Sequence, residues 1–252
     1  MNKKTAQRRD KLKEILMSTG LVNSNEVATM FSVSSETIRK DLLFLEEQGY
    51  AKKSYGGAVI CNGYAETPFD LRNNKNVEAK TRVAQKALEY APEKGVILLD
   101  AGSTTLLLAE GLKDREGLTI ITNSMSVCNV LSSSKNNVYI IGGQVKGVTM
   151  SLVGLWANNC LDSVSIDVAY LGTSGFQSFS GPSAESFSEA ELKKKILERS
   201  KASFVLCDSS KCQSSSLVQY ALWSEIGCLI IDDQAETERL EQIRQSTNVI
   251  IV

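Results

Sequence analysis

The chain has 252 residues, with 28 Lys and Arg against 29 Asp and Glu, six cysteines and no histidine. This length accommodates one small and one medium domain, each with a core of its own. The lack of histidine excludes Ser–His and Cys–His catalysis, and no apolar run reaches the roughly 18 residues of a membrane span. The cysteines are scattered without a CxxC pair, so we expect neither a metal site nor a cofactor. No signal-peptide pattern opens the chain, and we expect it to be cytoplasmic.

Residues 1–60 predict a small helical domain that begins with two helices. The first helix ends near Gly20. The second begins after Asn23, whose side chain can cap it, with Glu26 in the capping-box position. By their spacing, the inward-facing positions of these two helices are Leu12, Ile15, Leu16, Val27, Ala28 and Met30.

A third helix is predicted to begin after Ser34, whose hydroxyl can accept a hydrogen bond from an N–H group of the first turn. Its buried stripe consists of Ile38, Leu42 and Leu45, and its outward positions are Ser35, Thr37, Arg39 and Lys40. The second and third helices together have the outline of a helix-turn-helix. Such a recognition helix reads base edges in the major groove from its N-terminal end.

A hairpin is predicted around Gly56-Gly57, where Lys52 and Lys53 would bring positive charge to a sugar-phosphate backbone. Residues 1–60 hold ten Lys and Arg against seven Asp and Glu, and six of those cations lie in the first 13 residues. This basic end suits a protein that binds double-stranded DNA. A helical domain that binds protein, with a solvated basic face, would show a similar periodicity.

The stretch 61–76 lacks sustained periodicity and predicts a linker, which gives domains at 1–60 and 77–252. In the second domain, short apolar runs alternate with helical patterns, which indicates an α/β sheet with helices on its faces. The predicted strands are 96–100, 118–122, 138–142, 168–172, 203–207 and 228–232, and the predicted helices are 77–91, 105–112, one starting near Ser124, and 189–200.

Small and polar residues follow five of these strands. Ligands of α/β sheets gather beyond the carboxyl ends of the strands, and glycines and N–H groups at a helix N-terminus suit an anion. One such corner is more often turn chemistry, but several at successive strand ends favour a pocket for an anionic small molecule. The corner residues are Asp100, Gly102, Ser103, Thr104, Thr105, Thr122, Asn123, Ser124, Gly142, Gly143, Gly172, Thr173, Ser174, Gly175, Asp208 and Lys211.

The chain resembles the deoxyribose-operon repressor (DeoR) family of bacterial regulators in the runs Phe31–Leu42 (FSVSSETIRKDL), Leu45–Gly49 (LEEQG) and Gly56–Ala58 (GGA). That family has Thr-Ile-Arg-Arg-Asp-Leu on the recognition helix and a wing ending in His-Gly-Gly-Ala. This chain has Lys40 for the second arginine and Tyr55 for the histidine. Lysine lacks the bidentate fork of arginine, so Lys40 suits a phosphate contact better than a base contact.

The resemblance implies a C-terminal domain that is similar to ribose-5-phosphate isomerase and binds phosphorylated sugars. Lys193 falls where the family usually has a lysine near a helix start, which adds it to the expected effector contacts. Aligned on the isomerase, the active-site lysine falls near Glu185 and the catalytic glutamate near Lys194. Sugar isomerisation needs a carboxylate base and a cation at the enediolate. Reversed charges at both places oppose turnover, so we expect binding without catalysis.

We therefore expect a DNA-binding transcriptional regulator, a repressor of a sugar-metabolism operon that a phosphorylated sugar controls. It should be a homo-oligomer, a dimer or a tetramer, because one winged helix contacts too few base pairs to be selective in a genome. An isomerase-like enzyme with an accessory DNA-binding domain is one alternative, and a scaffold that binds protein through its N-terminus is another. The expected DNA contacts are Ser34, Ser35, Thr37, Arg39, Lys40, Lys52, Lys53 and Tyr55.

Overall fold

The computed structural model describes residues 3–60, 67–214 and 216–252. The chain forms two compact units, Met1–Leu71 and Arg72–Val252. Of the predicted linker, residues 61–66 lie outside the described residues.

The first unit combines helices with a small antiparallel sheet of three strands in the order β1-β3-β2. Its elements are α1 (Lys3–Thr19), β1 (Leu21–Asn23), α2 (Ser24–Met30), α3 (Ser35–Glu47), β2 (Ala51–Ser54), β3 (Gly57–Ile60) and, crossing into the second unit, α4 (Phe69–Asn73). The three predicted helices and the hairpin are present. The strand β1 was not predicted, since three residues are too few to show an alternating pattern.

Side-chain caps start α2 and α3 as predicted. Asn23 Oδ1 accepts a hydrogen bond from the N–H of Asn25 at 3.0 Å, and Ser34 Oγ accepts one from the N–H of Thr37 at 3.2 Å. Each cap satisfies an N–H group that the first turn leaves without a helical partner. The buried apolar residues of this unit are Leu12, Leu16, Val22, Val27, Ala28, Ile38, Leu42, Leu45, Ala51 and Ala58.

Two residues show how this core departs from simple periodicity. The inward position predicted for Met30 is wrong, because α2 ends there and the side chain is 65% exposed. Gly57 lies where β3 pairs with β1, and a Cβ atom at this position would come within 1.8 Å of the carbonyl oxygen of Val22. Only glycine therefore permits this strand pairing.

The second unit is built on a parallel sheet of seven strands, with helices on both faces. Its helices are α5 (Val77–Glu89), α6 (Ser103–Leu112), α7 (Met125–Leu131), α8 (Leu155–Cys160), α9 (Phe187–Glu198) and α10 (Thr237–Arg244), with short 3-10 turns at Ser209–Gln213 and Trp223–Glu225. Its strands are β4 (Gly95–Leu99), β5 (Glu116–Thr122), β6 (Lys135–Ile140), β7 (Gln144–Lys146), β8 (Ser151–Val153), β9 (Ile166–Gly172), β10 (Ser183–Ala184), β11 (Ser200–Cys207), β12 (Val218–Gln219), β13 (Cys228–Ile231) and β14 (Asn248–Ile251). In the described part of the chain, no helix is long and apolar enough to cross a membrane.

The strand order of the large sheet is β14-β13-β11-β9-β4-β5-β6, and β7–β8 and β10–β12 form separate antiparallel pairs. All six predicted strands belong to the large sheet, so the predicted α/β fold class is confirmed. The prediction omitted β14, a run of four residues.

Residues of the central strands alternate between two apolar cores, as the two-residue period of a strand requires. Leu98 and Leu171 belong to the core on the side of α8, α9 and α10. Leu99 and Tyr170 belong to the core on the side of α5, α6 and α7. Both faces of the sheet are therefore covered, and only its edges and strand ends meet solvent.

The order of the strands reverses at β4. The strands β5 and β6 lie on one side of β4, whereas β9, β11, β13 and β14 lie on the other. A crevice opens beyond the carboxyl ends of the strands where the order of a doubly wound sheet reverses. In this chain that point lies between Asp100, which follows β4, and Gly172, which ends β9.

Candidate functional site

The predicted DNA contacts lie on α3 and on the hairpin β2–β3. A groove of about 380 Å³ runs between these elements, and Arg39, Lys40 and Lys53 contribute to its lining. The side chain of Arg39 is 72% exposed, and its Nη1 lies 3.8 Å from a carboxylate oxygen of Glu36. Tyr55 is fully exposed at the hairpin tip. The exposed cations of this unit can therefore reach a ligand on the side of α3 and the hairpin.

The basic N-terminal helix has a different role from the one that the charge count suggested. Arg8 Nε and Arg9 Nε lie 2.5 Å and 2.8 Å from the two carboxylate oxygens of Asp41, whose side chain is 2% exposed. The guanidinium of Arg9 also stacks on the ring of Phe44, 3.8 Å from its centroid. These contacts fasten α1 to α3.

Two more cations of the same helix are paired. Lys11 Nζ lies 2.6 Å from Glu14, and Lys13 Nζ lies 2.5 Å from Asp70. Four of the six cations in the first 13 residues therefore balance carboxylates within the unit. The sequence could not show this, because the partners Asp41 and Asp70 are far along the chain.

In the second unit, Asp100 is the centre of a buried ion pair at the switch point. Lys193 donates to Asp100 Oδ2 and, at 3.1 Å, to the carbonyl oxygen of Gly172. The N–H of Gly172 donates to the same carboxylate oxygen at 3.0 Å, and the hydroxyl of Tyr220 donates to the carbonyl of Gly172 at 2.9 Å. These bonds join the ends of β4 and β9 to α9 and fix the floor of the crevice.

Most of the predicted hydroxyl and amide side chains bind backbone groups of the corners themselves. Thr105 donates to the carbonyl of Asp100 at 2.6 Å, and Thr122 donates to that of Leu99 at 2.7 Å. Asn123 Oδ1 accepts from the N–H of Ala101 at 2.9 Å. Ser124 caps α7 by accepting from the N–H of Val127, and the hydroxyl of Thr173 exchanges hydrogen bonds with Gly175 and Ser183. These side chains shape the corners.

The first turn of α6 differs from the other corners. Its N-cap is Gly102, which offers no side chain, and the first backbone bond into the helix runs from the N–H of Leu106 to the carbonyl of Gly102. Ser103 and Thr104 are buried in this turn. An α-helix leaves its first N–H groups without helical partners, and these groups attract an anion. The N–H groups of this corner can therefore bind an anion, whereas the polar groups of the other corners bond to one another.

Two glycine corners hold loops together. A Cβ atom on Gly175 would lie 2.3 Å from the carbonyl oxygen of Ser214, so the loop after β9, which includes Ser174, packs closely on the loop after β11. A Cβ atom on Gly143 would lie 2.6 Å from the carbonyl oxygen of Val153. Gly142, by contrast, is exposed and has open space around it. The corner after β6 thus contacts β8 and α8, and its described bonds do not reach Asp100.

A cluster of cations surrounds Asp208 at the end of β11. Lys80 is 4% exposed and donates to the carbonyl oxygens of Arg72 and, at 2.6 Å, of Lys75. Two guanidinium nitrogens of Arg72, Nε and Nη2, are buried without a hydrogen-bond partner among the described residues. Asp208 Oδ1 accepts bonds from Asn76 at 2.7 Å and from Ser210. Its direct partners are therefore neutral side chains.

The pKa shifts in this cluster follow from burial and from the excess of positive charge. Burial lowers the pKa of Lys80 to about 8, with Lys211, Arg72 and Lys75 acting in the same direction and Asp208 against it. Burial also lowers the pKa of Lys211, opposed by Asp208 and reinforced by Arg72. Burial acts to raise the pKa of Asp208, but hydrogen bonds from Ser210 and Asn76 and the nearby lysines hold it below its usual value.

Asp208 and Lys211 were predicted from the sequence as effector contacts, whereas Arg72 and Lys80 were not. Lys80 had a recognisable signal, because it shares the inward stripe of α5 with Val83, Ala84 and Ala87, all of them buried. A lysine on the apolar face of a helix needs a partner or a ligand. Arg72 had no such signal, since it lies in the stretch predicted as a linker.

The positions aligned with the isomerase's catalytic pair also have defined surroundings. Glu185 acts electrostatically on Lys211 and Lys146, whereas Lys194 is exposed on α9. The free cysteines of the described chain are Cys128, Cys160, Cys207, Cys212 and Cys228. Among the described residues, no three His, Cys, Asp or Glu side chains come together as a metal site.

Two family models match this chain. The DeoR-like helix-turn-helix domain matches residues 8–63, and the DeoR C terminal sensor domain matches residues 75–233. The chain is 32% identical to the HTH-type transcriptional regulator IolR of Bacillus subtilis (strain 168), over 90% of this chain and 91% of that protein. It is 28% identical to the glycerol-3-phosphate regulon repressor of Escherichia coli (strain K12), over 91% of each. A ribose 5-phosphate isomerase A from Methanocaldococcus jannaschii superposes with a TM-score of 0.41 at 19% identity, over 54% of this chain and 55% of that chain.

Proposed function

Since this chain belongs to the DeoR family of transcriptional regulators, we propose that it represses a sugar-metabolism operon and that a phosphorylated sugar controls its binding to operator DNA. Its family and its relatives are regulators and not enzymes. A protein that acts on operator DNA works where the DNA is, so the proposal includes a cytoplasmic location.

In the DNA-binding part of the proposal, α3 enters the major groove and the hairpin contacts the backbone. Arg39 is the base-reading side chain, because its exposed guanidinium lies in the first turns of α3 and arginine pairs with guanine in two hydrogen bonds. Lys40, Lys52 and Lys53 contact phosphates, as do the hydroxyls of Ser34, Ser35, Thr37 and Tyr55. All of these residues except the partly buried Ser35 and Thr37 are exposed, and this exposure and the groove beside α3 support the assignment.

The effector proposal depends on one observation, the excess of positive charge around Asp208. Arg72, Lys80 and Lys211 influence one another there, the carboxylates of Asp208 and Glu185 oppose them, and two nitrogens of Arg72 have no hydrogen-bond partner among the described residues. Burying unpaired charge is costly. A phosphate dianion would supply the missing negative charge and accept hydrogen bonds from the free guanidinium nitrogens.

The length of the crevice supports a sugar on this phosphate. The strands β11 and β4 are separated by β9 alone, so their ends lie roughly 10 Å apart at the usual strand spacing. α5, which carries Lys80, packs against both α6 and β11. The cations would hold the phosphate, while the open N-terminal turn of α6 and the corner around Asp100 and Lys193, both at the end of β4, would face the sugar hydroxyls.

Control of DNA binding also requires that two DNA-binding units act as a pair. Operators of such regulators contain two half-sites at a fixed spacing, so we include a homo-oligomer in the proposal. The effector favours an arrangement of the protomers in which the two recognition helices no longer match that spacing. Such coupling is reciprocal, so operator DNA must weaken effector binding by the same factor.

A thermal-shift screen tests the effector proposal directly. The full chain is heated with phosphorylated sugars and, as matched controls, with the same sugars lacking phosphate. A ligand at 100 times its Kd stabilises the folded state by about 2.7 kcal/mol. A shift with phosphorylated members only is the expected result. Equal shifts with the neutral sugars, or none with any phosphate, would contradict a phosphate-binding cluster.

A footprinting assay on the flanking genomic DNA tests the regulator proposal. We expect one protected segment with two half-sites, and its protection should decrease when the active sugar phosphate is added. Uniform protection of all DNA, or protection that ignores every sugar phosphate, would refute control of a specific operator.

A further inference from the structure

The second unit carries a group of exposed apolar side chains that the proposed effector site does not use. They are 43–76% exposed, although large apolar residues are usually buried. We name them the apolar patch, and its members are Tyr139, Ile140, Val145, Leu155, Trp156 and Phe187.

Close backbone contacts bring the elements of the apolar patch together. Tyr139 and Ile140 end β6, and Gly143 follows them, packed within Cβ contact of Val153 and Ala157. Those two residues flank the start of α8, where Leu155 and Trp156 project. Lys146 on β7 donates to Ser186, the N-cap of α9, at 2.7 Å. Val145 precedes Lys146 in the chain and Phe187 follows Ser186, so the elements β6, β7, α8 and α9 are adjacent.

Five of the six members of the patch lie in a segment that is nearly free of charge. Between Lys135 and Asp162 the sequence has a single charged residue, Lys146, in a chain where 57 residues of 252 are Lys, Arg, Asp or Glu. The core of a protein interface is depleted of charged residues and enriched in Trp, Tyr and Phe. Because this segment carries so little charge, and because Lys146 offsets Glu185 and Glu189 beside Phe187, two copies of the patch can approach with little electrostatic repulsion.

The size of the apolar patch matches one side of a dimer interface. Six large apolar side chains at these exposures present on the order of 800 Å², which is about what each partner contributes to a standard-size interface. The patch also borders β6, an edge strand of the large sheet with one unpaired side. These observations favour a two-fold contact in which the same surface occurs on both partners.

We propose that the apolar patch is the surface through which two copies of this chain form a dimer. Trp156 lies at the centre of the contact because it is the most exposed member of the patch. The proposal specifies the surface for the pairing on which the proposed function rests, and it is tested without DNA or effector.

Sedimentation of the full chain over a dilution series measures the dimer equilibrium. We expect wild-type dimers, and we expect Trp156→Glu to raise the dimer Kd by about 100-fold, as loss of an interface anchor does. Phe187→Glu should act in the same direction. Both side chains are exposed in the single chain, so both variants should keep the wild-type circular dichroism. Their urea midpoints should equal that of the wild type at a concentration too low for dimers, because dimerisation itself stabilises the folded chain.

The matched control is Ile251→Glu, an exposed apolar residue on β14, the opposite edge strand of the same sheet. It should leave the dimer unchanged. Fluorescence gives an independent measurement, since Trp223 is buried and Trp156 is exposed in one protomer. The emission should shift to longer wavelength as wild-type dimers dissociate on dilution, and Trp156→Phe should abolish that shift.

The outcomes separate this proposal from the proposed function. Monomeric Trp156→Glu beside dimeric Ile251→Glu supports the apolar patch as the interface. A wild-type chain that is monomeric at every concentration overturns it, as does a Trp156→Glu variant that dimerises like the wild type. A dimer through another surface would still leave operator binding and effector control intact.

Discussion

Asp41 in the first unit and Asp208 in the second are both buried carboxylates with cations around them, yet the two clusters differ in how the cations are used. Each oxygen of Asp41 is bonded directly by an arginine, at 2.5 and 2.8 Å. Asp208 is bonded by the neutral side chains of Asn76 and Ser210. The lysines act on it only through space, and Arg72 keeps unpaired nitrogens.

The difference shows that composition does not reveal the role of a charged cluster. In the Asp41 cluster, direct charge-assisted hydrogen bonds connect α1 to α3 and stabilise their packing. In the Asp208 cluster the positive charge exceeds what the protein itself compensates, so an added anion can stabilise it. Removing a charge from the Asp41 cluster should therefore lower the free energy of unfolding, whereas removing a cation from the Asp208 cluster should raise it.

The largest expected effect is at Asp41. Asp41→Ala removes the buried carboxylate that Arg8 and Arg9 both contact, and we expect a loss of about 3 kcal/mol in the free energy of unfolding. Urea unfolding followed by circular dichroism measures it. Glu14→Ala is the matched control, because its pair with Lys11 is exposed and should contribute less than about 1 kcal/mol. Equal losses of unfolding free energy in both variants would mean that the Asp41 cluster does not stabilise the packing of α1 on α3.

Lys211→Met should reverse the sign. The substitution keeps most of the apolar stem and removes a partly buried charge whose pKa burial already lowers, so the effector-free protein should become more stable by about 1 kcal/mol. Affinity for the active sugar phosphate should fall about 30-fold, since a buried charge partner is lost. Calorimetric titration and urea unfolding of the same variant provide both values. A destabilised variant with unchanged affinity would make this cluster structural, like that of Asp41.

The pH dependence sharpens the contrast further. Lys80 has a folded-state pKa of about 8 against an ordinary value of 10.5, so the unfolded chain holds its proton more tightly. The effector-free protein should gain stability as the pH rises from 8 towards 10.5. Phosphate is already a dianion above pH 7, so effector affinity should fall about tenfold from pH 7 to pH 9 as Lys80 loses its charge.

The matched variant for that pH profile is Lys80→Met. Titrations at several pH values should show lower affinity and a nearly flat profile in this variant. Retention of the wild-type slope would assign the proton to another group.

The smallest expected changes in free energy concern the exposed cations of the first unit, which belong to neither cluster. Arg39→Ala should reduce discrimination between operator and altered operators by about 1–3 kcal/mol at one base position. Lys52→Ala should weaken binding to all sequences alike and reduce the salt slope by about one. Competition binding at two salt concentrations distinguishes them. The assignment of base reading to Arg39 fails if the two variants behave identically.

The local order of this fold was predictable because the relevant signals are local. Asn23 and Ser34 cap helices by bonding N–H groups two or three residues on, and the alternating strands and helices of residues 77–252 follow from short apolar runs. The position of Met30 was misjudged because the helical repeat stops at the end of α2, and β14 was omitted because four residues show little periodicity.

The candidate sites were predictable only in outline. The corners after the strands were expected from residue type, but residue type does not distinguish Thr105, whose hydroxyl binds backbone carbonyls, from Ser103 at the open turn of α6. Lys80 and Arg72 were missed because their significance arises from Asp208 and Lys211, more than a hundred residues away.

The sequence by itself determined which segments become helices and strands, and that the chain joins a winged helix-turn-helix to an α/β unit, because periodicity, caps and turn residues act over a few positions. Only the tertiary structure decided which charged side chains form ion pairs within the protein and which remain available to a ligand. An ion pair such as Arg8–Asp41 or Lys193–Asp100 depends on burial and distance, and these are set by how the segments pack.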